Sequence, residues 1–189
     1  MKRPLAVALT GGIAAGKSEA LAAFARHGAA VISSDDVVHR IYREDEELQA
    51  ALRGHWGDRV FRDGAVDREE VGRIVFADRA ELAWLEAELH PRVRAATGEW
   101  LAGQTAEVAV AEIPLLYETG GEARFDKVVV VTAPAGVRES RRGALAAREE
   151  RLVSEDEKVR RADFAYVNDG SLEELDAFVA GVLEELRRS

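Results

Sequence analysis

Short apolar runs alternate with longer amphipathic stretches along the chain. Five runs have the length and composition of buried strands: 5–10, 29–32, 107–116, 126–134 and the segment "DFAYVNDG". Between them, apolar residues recur at the three- and four-residue spacing that is typical of helices. Strands joined by helical crossovers predict an α/β fold, a mainly parallel five-stranded sheet with helices on both faces.

The first predicted helix spans residues 17–27, with Leu21, Phe24 and Ala25 on one face and Gly28 as its stop. Residues 36–52 carry a helical pattern whose acidic run, "REDEE", is interpreted as a solvated face. No internal repeat or low-complexity linker separates these elements.

Capping signals mark three later helices. Each pairs a polar cap with a glutamate three positions on, the pattern of a capping box. The pairs are Asp78 with Glu81, Ser154 with Glu157, and Ser171 with Glu174. Pro91 is expected to interrupt or end the helix that begins near Asp78, because proline lacks the N–H that a helix interior needs.

Composition narrows the functional classes. The chain has 189 residues, enough for one α/β domain, and a net charge of −9, which argues against general nucleic-acid binding. Cysteine is absent, which excludes disulfides, thiolate metal sites and cysteine nucleophiles. No secretory signal or membrane span is apparent, so we expect a cytoplasmic protein, and the acidic charge favours a monomer.

The stretch "GGIAAGKS" at 11–18 lies between the first strand and the first helix. Gly11, Gly16, Lys17 and Ser18 satisfy the pattern G-x-x-x-x-G-K-[ST], whose backbone N–H groups cradle phosphate at a helix N-terminus. Lys17 would neutralise β- and γ-phosphate charge and Ser18 would ligate Mg²⁺. A chance match on a glycine-rich turn is the alternative, which the flanking strand and helix disfavour.

Two acidic positions would serve a bound triphosphate. Glu112 ends the apolar run "VAVAE" and is a candidate magnesium ligand. Asp35 lies just past the second strand, and ligands bind at the carboxyl ends of parallel strands, so it is a candidate base for a hydroxyl under phosphorylation. Asp36 is the competing assignment, and either carboxylate could instead cap the next helix.

Cationic residues of the predicted helical segment 137–151 would stabilise the transferred phosphoryl group. We expect one or two of four arginines to reach phosphate; they are Arg138, Arg141, Arg142 and Arg148. His90 and Arg92 flank Pro91 and would line an acceptor pocket, with a structural or capping role for His90 as the alternative.

Several stretches together, in order along nearly the whole chain, resemble the dephospho-CoA kinase family. The stretches are "ALTGGIAAGKS", "GAAVISSDD", "DGAVDREEVGRIVFAD", "LEAELHPRV", "EIPLLYE", "FDKVVVV", "EDEKVRRADF" and "NDGSLEEL". The resemblance implies ATP-dependent phosphorylation of the ribose 3′-hydroxyl of dephospho-CoA. It also implies a three-layer P-loop nucleotide-kinase core over 1–189, with a helical acceptor insertion at 36–105 and a lid at 136–158.

The resemblance also implies roles for individual residues. Asp35, Lys17 and Arg141 would be catalytic. The ATP-binding residues would be Gly11, Gly12, Ile13, Ala14, Ala15, Gly16, Lys17, Ser18, Glu19, Arg142 and Asn168, the last near the nucleotide base. The acceptor would contact Asp35, His90, Pro91, Arg92, Pro114, Leu115, Leu116 and Glu118, while Ser18 and Glu112 would hold Mg²⁺.

The chain departs from the family pattern at a few positions. Ser33 replaces the first aspartate of a D-A-D stretch, Ala14 a common glycine and Glu19 a common threonine, and Leu152 stands where glutamine is frequent. The predicted lid is also short. Two rival functions share the phosphate loop: another small-molecule kinase, such as a nucleoside or nucleotide kinase, and a P-loop switch without an acceptor.

Overall fold

The computed structural model describes residues 3–134, 136 and 153–188, which form seven α-helices and seven β-strands. The strands are Leu5–Gly11 (β1), Ala30–Ser33 (β2), Phe61–Arg62 (β3), Ala65–Val66 (β4), Val108–Glu112 (β5), Lys127–Thr132 (β6) and Phe164–Val167 (β7). The helices are Lys17–Arg26 (α1), Ser34–Glu44 (α2), Glu46–Trp56 (α3), Arg68–Ala77 (α4), Arg79–Ala102 (α5), Glu155–Arg161 (α6) and Leu172–Arg188 (α7).

The chain divides into two compact units. The sheet unit comprises Met1–Ser33 and Leu101–Ser189, and the helical unit comprises Ser34–Trp100. Within residues 3–134 and 153–188, no helix is long and apolar enough to cross a membrane.

The sheet unit contains a five-stranded parallel sheet in the order β2-β5-β1-β6-β7, which confirms the predicted α/β fold. Its central strand β1 pairs with β5 and β6, so that Leu9 lies opposite Glu112 and Gly11 opposite Val131. The interiors of these strands are apolar, because both faces of the sheet are covered. Parallel strands also align their carboxyl ends along one edge, where β1 leads into the glycine-rich loop.

Two apolar clusters cover the two faces of the sheet, because successive side chains of a strand point to opposite sides. Val7 and Leu9 of β1 pack with Phe24 of α1 and Leu183 of α7. Ala8, between them in sequence, packs on the other face with Leu116. The three-layer arrangement predicted from the sequence is therefore present in the sheet unit.

Two of the predicted helix caps are confirmed in the sheet unit. The Ser154 hydroxyl accepts from the Glu157 N–H at the start of α6, and Ser171 and Glu174 exchange side-chain to backbone bonds at the start of α7. Gly28, with φ +89°, follows the end of α1 as expected. Ala25 is exposed, contrary to prediction, and Ala23 takes its place in the core.

In the helical unit, the helical pattern predicted over 36–52 is confirmed but forms two helices, because Asp45 separates α2 from α3. Its backbone is extended, and its carboxylate accepts from the Leu48 N–H at 2.8 Å, as an N-cap does. Part of the acidic run therefore forms the start of α3, so the run is not only a solvent-exposed helix face.

The predicted break at Pro91 is wrong, because α5 continues through this proline. A proline in a helix interior removes one backbone bond, at a cost of about 3 kcal/mol, which the contacts of a long helix can offset. One such contact is local: Arg92 Nη1 donates to the Glu88 carbonyl at 2.7 Å, within the preceding turn.

Glu81 does not complete a capping box with Asp78. The Asp78 carboxylate accepts from the Ala80 N–H, while Glu81 Oε2 accepts from Trp56 Nε1 at 2.8 Å and pairs with His55 Nε2 at 2.7 Å. The hydrogen bond from Trp56, and after it the one from His55, hold the pKa of Glu81 below its usual value. Glu81 thus joins α5 to α3, a contact between distant residues that a local pattern does not reveal.

Candidate active site

The loop at 11–18 runs from the last residue of β1 to the first turn of α1, and its backbone requires glycine at positions 11 and 16. A Cβ on Gly11 would lie 1.8 Å from the Val131 carbonyl oxygen. Gly16 has φ +98°, a conformation that side chains disfavour. The glycines that mark the sequence motif are therefore dictated by close strand pairing and by the turn into α1.

Ala14, at the position where a glycine is common in the family that the sequence resembles, adopts the left-handed conformation with φ +58°. For a residue with a Cβ this conformation costs about 1–2 kcal/mol. Ala15 beside it is fully buried, and Ile13 is half-buried. The loop is thus held in a strained shape by its surroundings.

Lys17 is the first residue of α1, and its ammonium group lies over the loop. Nζ donates to the Gly12 carbonyl at 2.8 Å and lies 3.4 Å from the Gly11 carbonyl oxygen. Ser18 and Glu19 follow in the first turn, both exposed. A cation and the N-terminus of a helix therefore meet at this loop, an arrangement that favours anions.

Beside the loop lies a cleft of about 460 Å³. Its walls are the loop with the first turn of α1, the end of β5, the segment between β7 and α7, and the start of α7. The lining residues are Ala14, Ala15, Gly16, Lys17, Ser18, Glu19, Glu112, Asn168, Gly170 and Leu172. The structure thus brings Glu112 and Asn168, distant in sequence, to the predicted phosphate loop.

Glu112 ends β5 and is 8% exposed. Its carboxylate and the Ser18 hydroxyl line the same cleft, and both are oxygen donors of the kind that Mg²⁺ prefers. Within the described residues no group of three or more metal-binding side chains occurs. A magnesium ion that is shared with phosphates usually takes only one or two protein carboxylates, so the pair fits such an ion.

Leu172 is a cleft residue that the sequence analysis did not single out. It begins α7 and is 61% exposed, although it is a large apolar residue. Glu155 was also missed: a Cβ on Gly12 would lie 1.7 Å from its Oε1, so the carboxylate packs against the loop. The one local signal that could have identified Leu172 is that a large apolar residue stands at the exposed N-terminal end of an amphipathic helix. No local signal identifies Glu155.

Asp35 is the second residue of α2, in the helical unit, and its side chain is exposed together with that of Asp36. Both carboxylates lie in the first turn, where the helix dipole favours negative charge. Ser33 ends β2 and lies opposite Glu112 in the sheet unit. Asp35 follows it by two residues along the chain.

His90, Pro91 and Arg92 lie on α5, in the helical unit. Arg92 is mostly buried, with Nη1 at 2.8 Å from Glu88 Oε2 and Nε at 3.2 Å from Asp45 Oδ2. Arg92 therefore ties α5 to the N-cap of α3, while its acceptor role stays a prediction.

Pro114, Leu115, Leu116 and Glu118 belong to a turn after β5. Leu116 is fully buried in the core. Glu118 Oε1 pairs with Lys158 Nζ at 2.8 Å and accepts from the Val153 N–H at 3.0 Å. Lys158 is 2% exposed, so this is a buried ion pair that fixes the start of the 153–161 segment to the turn.

Replacing Lys158 by methionine is expected to lower the free energy of unfolding by about 3–5 kcal/mol, because it leaves the Glu118 carboxylate buried without its cation. Urea unfolding followed by circular dichroism measures the loss. Lys127→Met is the matched control, since Lys127 pairs with Asp163 at the surface. Equal losses for the two variants would contradict the buried-pair interpretation.

The four arginines of the predicted lid, Arg138, Arg141, Arg142 and Arg148, lie outside the described residues. Their roles therefore stay predictions, as does the lid at 136–158.

Comparison with known proteins relates the whole chain to one family. A family model described as dephospho-CoA kinase matches residues 5–174. Dephospho-CoA kinases of Mesorhizobium japonicum and Thermobifida fusca are 42% and 38% identical, each alignment covering 97% of both chains. Among solved structures, TT1252 from Thermus thermophilus superposes with TM-score 0.80 at 36% identity, covering 98% of this chain and 99% of that one.

A second structure, dephospho-CoA kinase from Campylobacter jejuni, gives TM-score 0.69 at 27% identity and covers 97% of both chains. Shikimate kinase from Aquifex aeolicus, at 15% identity and TM-score 0.54, shares the fold alone.

Proposed function

This chain belongs to the dephospho-CoA kinase family, and on that premise we propose how its own residues perform the reaction. The chain transfers the terminal phosphoryl group of ATP to the ribose 3′-hydroxyl of dephospho-CoA, the final step of coenzyme A synthesis. The observation that carries the proposal is the glycine loop between β1 and α1, with Lys17 over it and Glu112 beside it in one cleft.

In the proposal, residues 11–18 hold the phosphates of ATP. The loop's N–H groups and the N-terminus of α1 offer hydrogen-bond donors and partial positive charge. Lys17 exchanges its bonds to the Gly11 and Gly12 carbonyls for phosphate oxygens. The glycines let the backbone approach the ligand closely, since a Cβ would occupy that space.

Ser18 and Glu112 are proposed to hold Mg²⁺, for which their oxygen atoms fit. When bound, the ion neutralises phosphate charge that builds up during transfer. The base of the nucleotide would lie beyond Asn168, where exposed Leu172 offers an apolar surface for one face of a purine ring.

Asp35 is proposed as the base. Its carboxylate accepts the proton of the 3′-hydroxyl as that oxygen bonds to the γ-phosphorus, and the bond from phosphorus to the ADP oxygen breaks. Asp36, which is also exposed in the same turn, is the alternative. Acceptor contacts are proposed for His90, Pro91 and Arg92 and for the turn residues Pro114, Leu115 and Glu118, while Leu116, which is fully buried, would support this turn from the core.

Arg141 is proposed to stabilise the transferred group and Arg142 to contact ATP. We also propose that the protein works as a monomer in the cytoplasm, in keeping with its charge of −9. Size-exclusion chromatography with light scattering tests the monomer, and a dimer mass would contradict it.

Acceptor dependence is the decisive test of the proposed function. ADP release with ATP and Mg²⁺ is measured against dephospho-CoA, adenosine and AMP. We expect release above the background rate with dephospho-CoA, and much less with the smaller acceptors. Equal release with and without dephospho-CoA would refute a kinase of this acceptor, and faster release with AMP or adenosine would make the chain a nucleotide or nucleoside kinase.

A further inference from the structure

Asn168 follows β7 directly, and a backbone hydrogen bond fixes its position beside β6. Its N–H donates to the carbonyl of Thr132, the last residue of β6, at 2.7 Å. The residue is 5% exposed, although asparagine is usually a surface residue. A polar side chain that is buried at the carboxyl edge of the sheet needs a partner, and the partner lies in the phosphate loop.

The side-chain amide of Asn168 contacts the last peptide of that loop. Nδ2 donates to the Ala15 carbonyl oxygen at 2.9 Å, across 153 residues of sequence. The orientation follows from chemistry, since only the NH₂ end of an amide can donate to a carbonyl. The same nitrogen lies 2.2 Å from where a Cβ on Gly16 would stand, so Asn168 also covers the turn into α1.

The Ala15 carbonyl and the Gly16 N–H belong to one planar, trans peptide, so they point in opposite directions. Gly16 tolerates either sign of φ, which makes a flip of this peptide inexpensive unless something holds it. The proposed assignment of residues 11–18 to the ATP phosphates requires the Gly16 N–H to face them, and a flipped peptide would put the carbonyl oxygen there, which would repel phosphate. The hydrogen bond from Asn168 opposes this flip.

We propose that Asn168 is a positioning residue, which acts through Ala15 to keep the Gly16 N–H directed at the phosphates rather than by contacting the nucleotide base. The inference rests on the proposed assignment of residues 11–18 to ATP phosphates. It differs from the role that the sequence resemblance implied for Asn168, and the two roles predict different effects of an Asn168 substitution on the binding of tripolyphosphate.

Magnesium tripolyphosphate separates the two roles, because it carries the phosphates of ATP without the base. In Asn168→Ala, calorimetry is expected to show tripolyphosphate and ATP weakened by the same factor, about tenfold, for one lost phosphate contact. Asp169→Ala is the matched control: Asp169 is the next residue and is exposed, so both ligands should bind as in the wild type. A loss of ATP affinity with unchanged tripolyphosphate affinity would overturn the proposal.

Asn168→Asp keeps the shape of the side chain but replaces the donor by an acceptor. Its carboxylate would face the Ala15 carbonyl, so tripolyphosphate binding should fall at least as far as in Asn168→Ala. Wild-type affinity in this variant would also overturn the proposal.

A measurement on the wild type covers the case in which neither variant folds. With ¹⁵N-labelled protein and tripolyphosphate, the side-chain amide protons of Asn168 are expected to exchange slowly with solvent, as hydrogen-bonded donors do; rapid exchange in this complex would overturn the proposal. Wild-type protein that binds no tripolyphosphate would overturn it together with the phosphate-loop assignment. Protein that binds tripolyphosphate normally but does not phosphorylate dephospho-CoA would refute the proposed acceptor and leave the role of Asn168 supported.

Discussion

Asp35→Asn is expected to lower kcat with dephospho-CoA by a hundredfold or more, within the range of about 10²–10⁴ that acid–base catalysis contributes. The amide cannot accept the proton of the 3′-hydroxyl, so the attacking oxygen stays a weak nucleophile. Since the proposed role of Asp35 is to accept a proton from the acceptor hydroxyl rather than to hold the phosphates, ATP affinity should be largely kept. Steady-state ADP release and calorimetric ATP binding provide the two readouts.

Asp36→Asn is the matched control for this prediction, because Asp36 is adjacent, also exposed and in the same helical turn. Its turnover should stay close to that of the wild type. Near-normal turnover in Asp35→Asn would remove Asp35 as the base, and a large loss in Asp36→Asn alone would transfer the role to its neighbour. Thermal unfolding of both variants checks that the helix still forms.

Lys17→Met should lower kcat/KM for ATP by about 10²–10³, the range for loss of one preorganised charge at a reacting group. The ammonium group already lies over the loop, bonded to Gly12, so it needs little rearrangement to meet phosphate. In contrast to Asp35→Asn, this variant should also bind ATP more weakly, because ground-state phosphates carry the same charge. The comparison of kcat with calorimetric ATP affinity separates the two effects.

Lys127→Met provides the lysine control, because Lys127 pairs with Asp163 near the start of β6, away from the cleft. It should retain wild-type ATP affinity and turnover. If Lys17→Met kept normal kcat/KM, the loop would not hold the transferred phosphate, and the proposed function would lose its main structural support.

Local signals predicted those parts of the fold whose causes lie within a few residues. Ser171 and Glu174 cap α7 because they are three residues apart, and β1 is buried because its residues are apolar on both faces. A further local signal was overlooked: Asp63 and Gly64, both with positive φ, form the turn between β3 and β4, and a D-G pair is a standard hairpin turn.

Local signals failed where a distant partner competes for the same group. Glu81 is three residues from Asp78, yet its carboxylate bonds to Trp56 and His55. Pro91 lacks a helical donor, yet α5 continues through it from Arg79 to Ala102. Arg92, predicted at the acceptor, also secures the cap of α3 through Asp45, which sequence spacing did not indicate.

The sequence by itself determined the glycine loop at 11–18, because a strand, a glycine turn and a helix N-terminus are adjacent in the chain and their geometry follows from backbone constraints. Only the tertiary structure decided what surrounds that loop. Asn168 reaches Ala15, and Lys158 reaches Glu118, across 153 and 40 residues respectively. Such pairs form because buried polar groups must find partners once the sheet brings them together, and no local pattern specifies which partner that is.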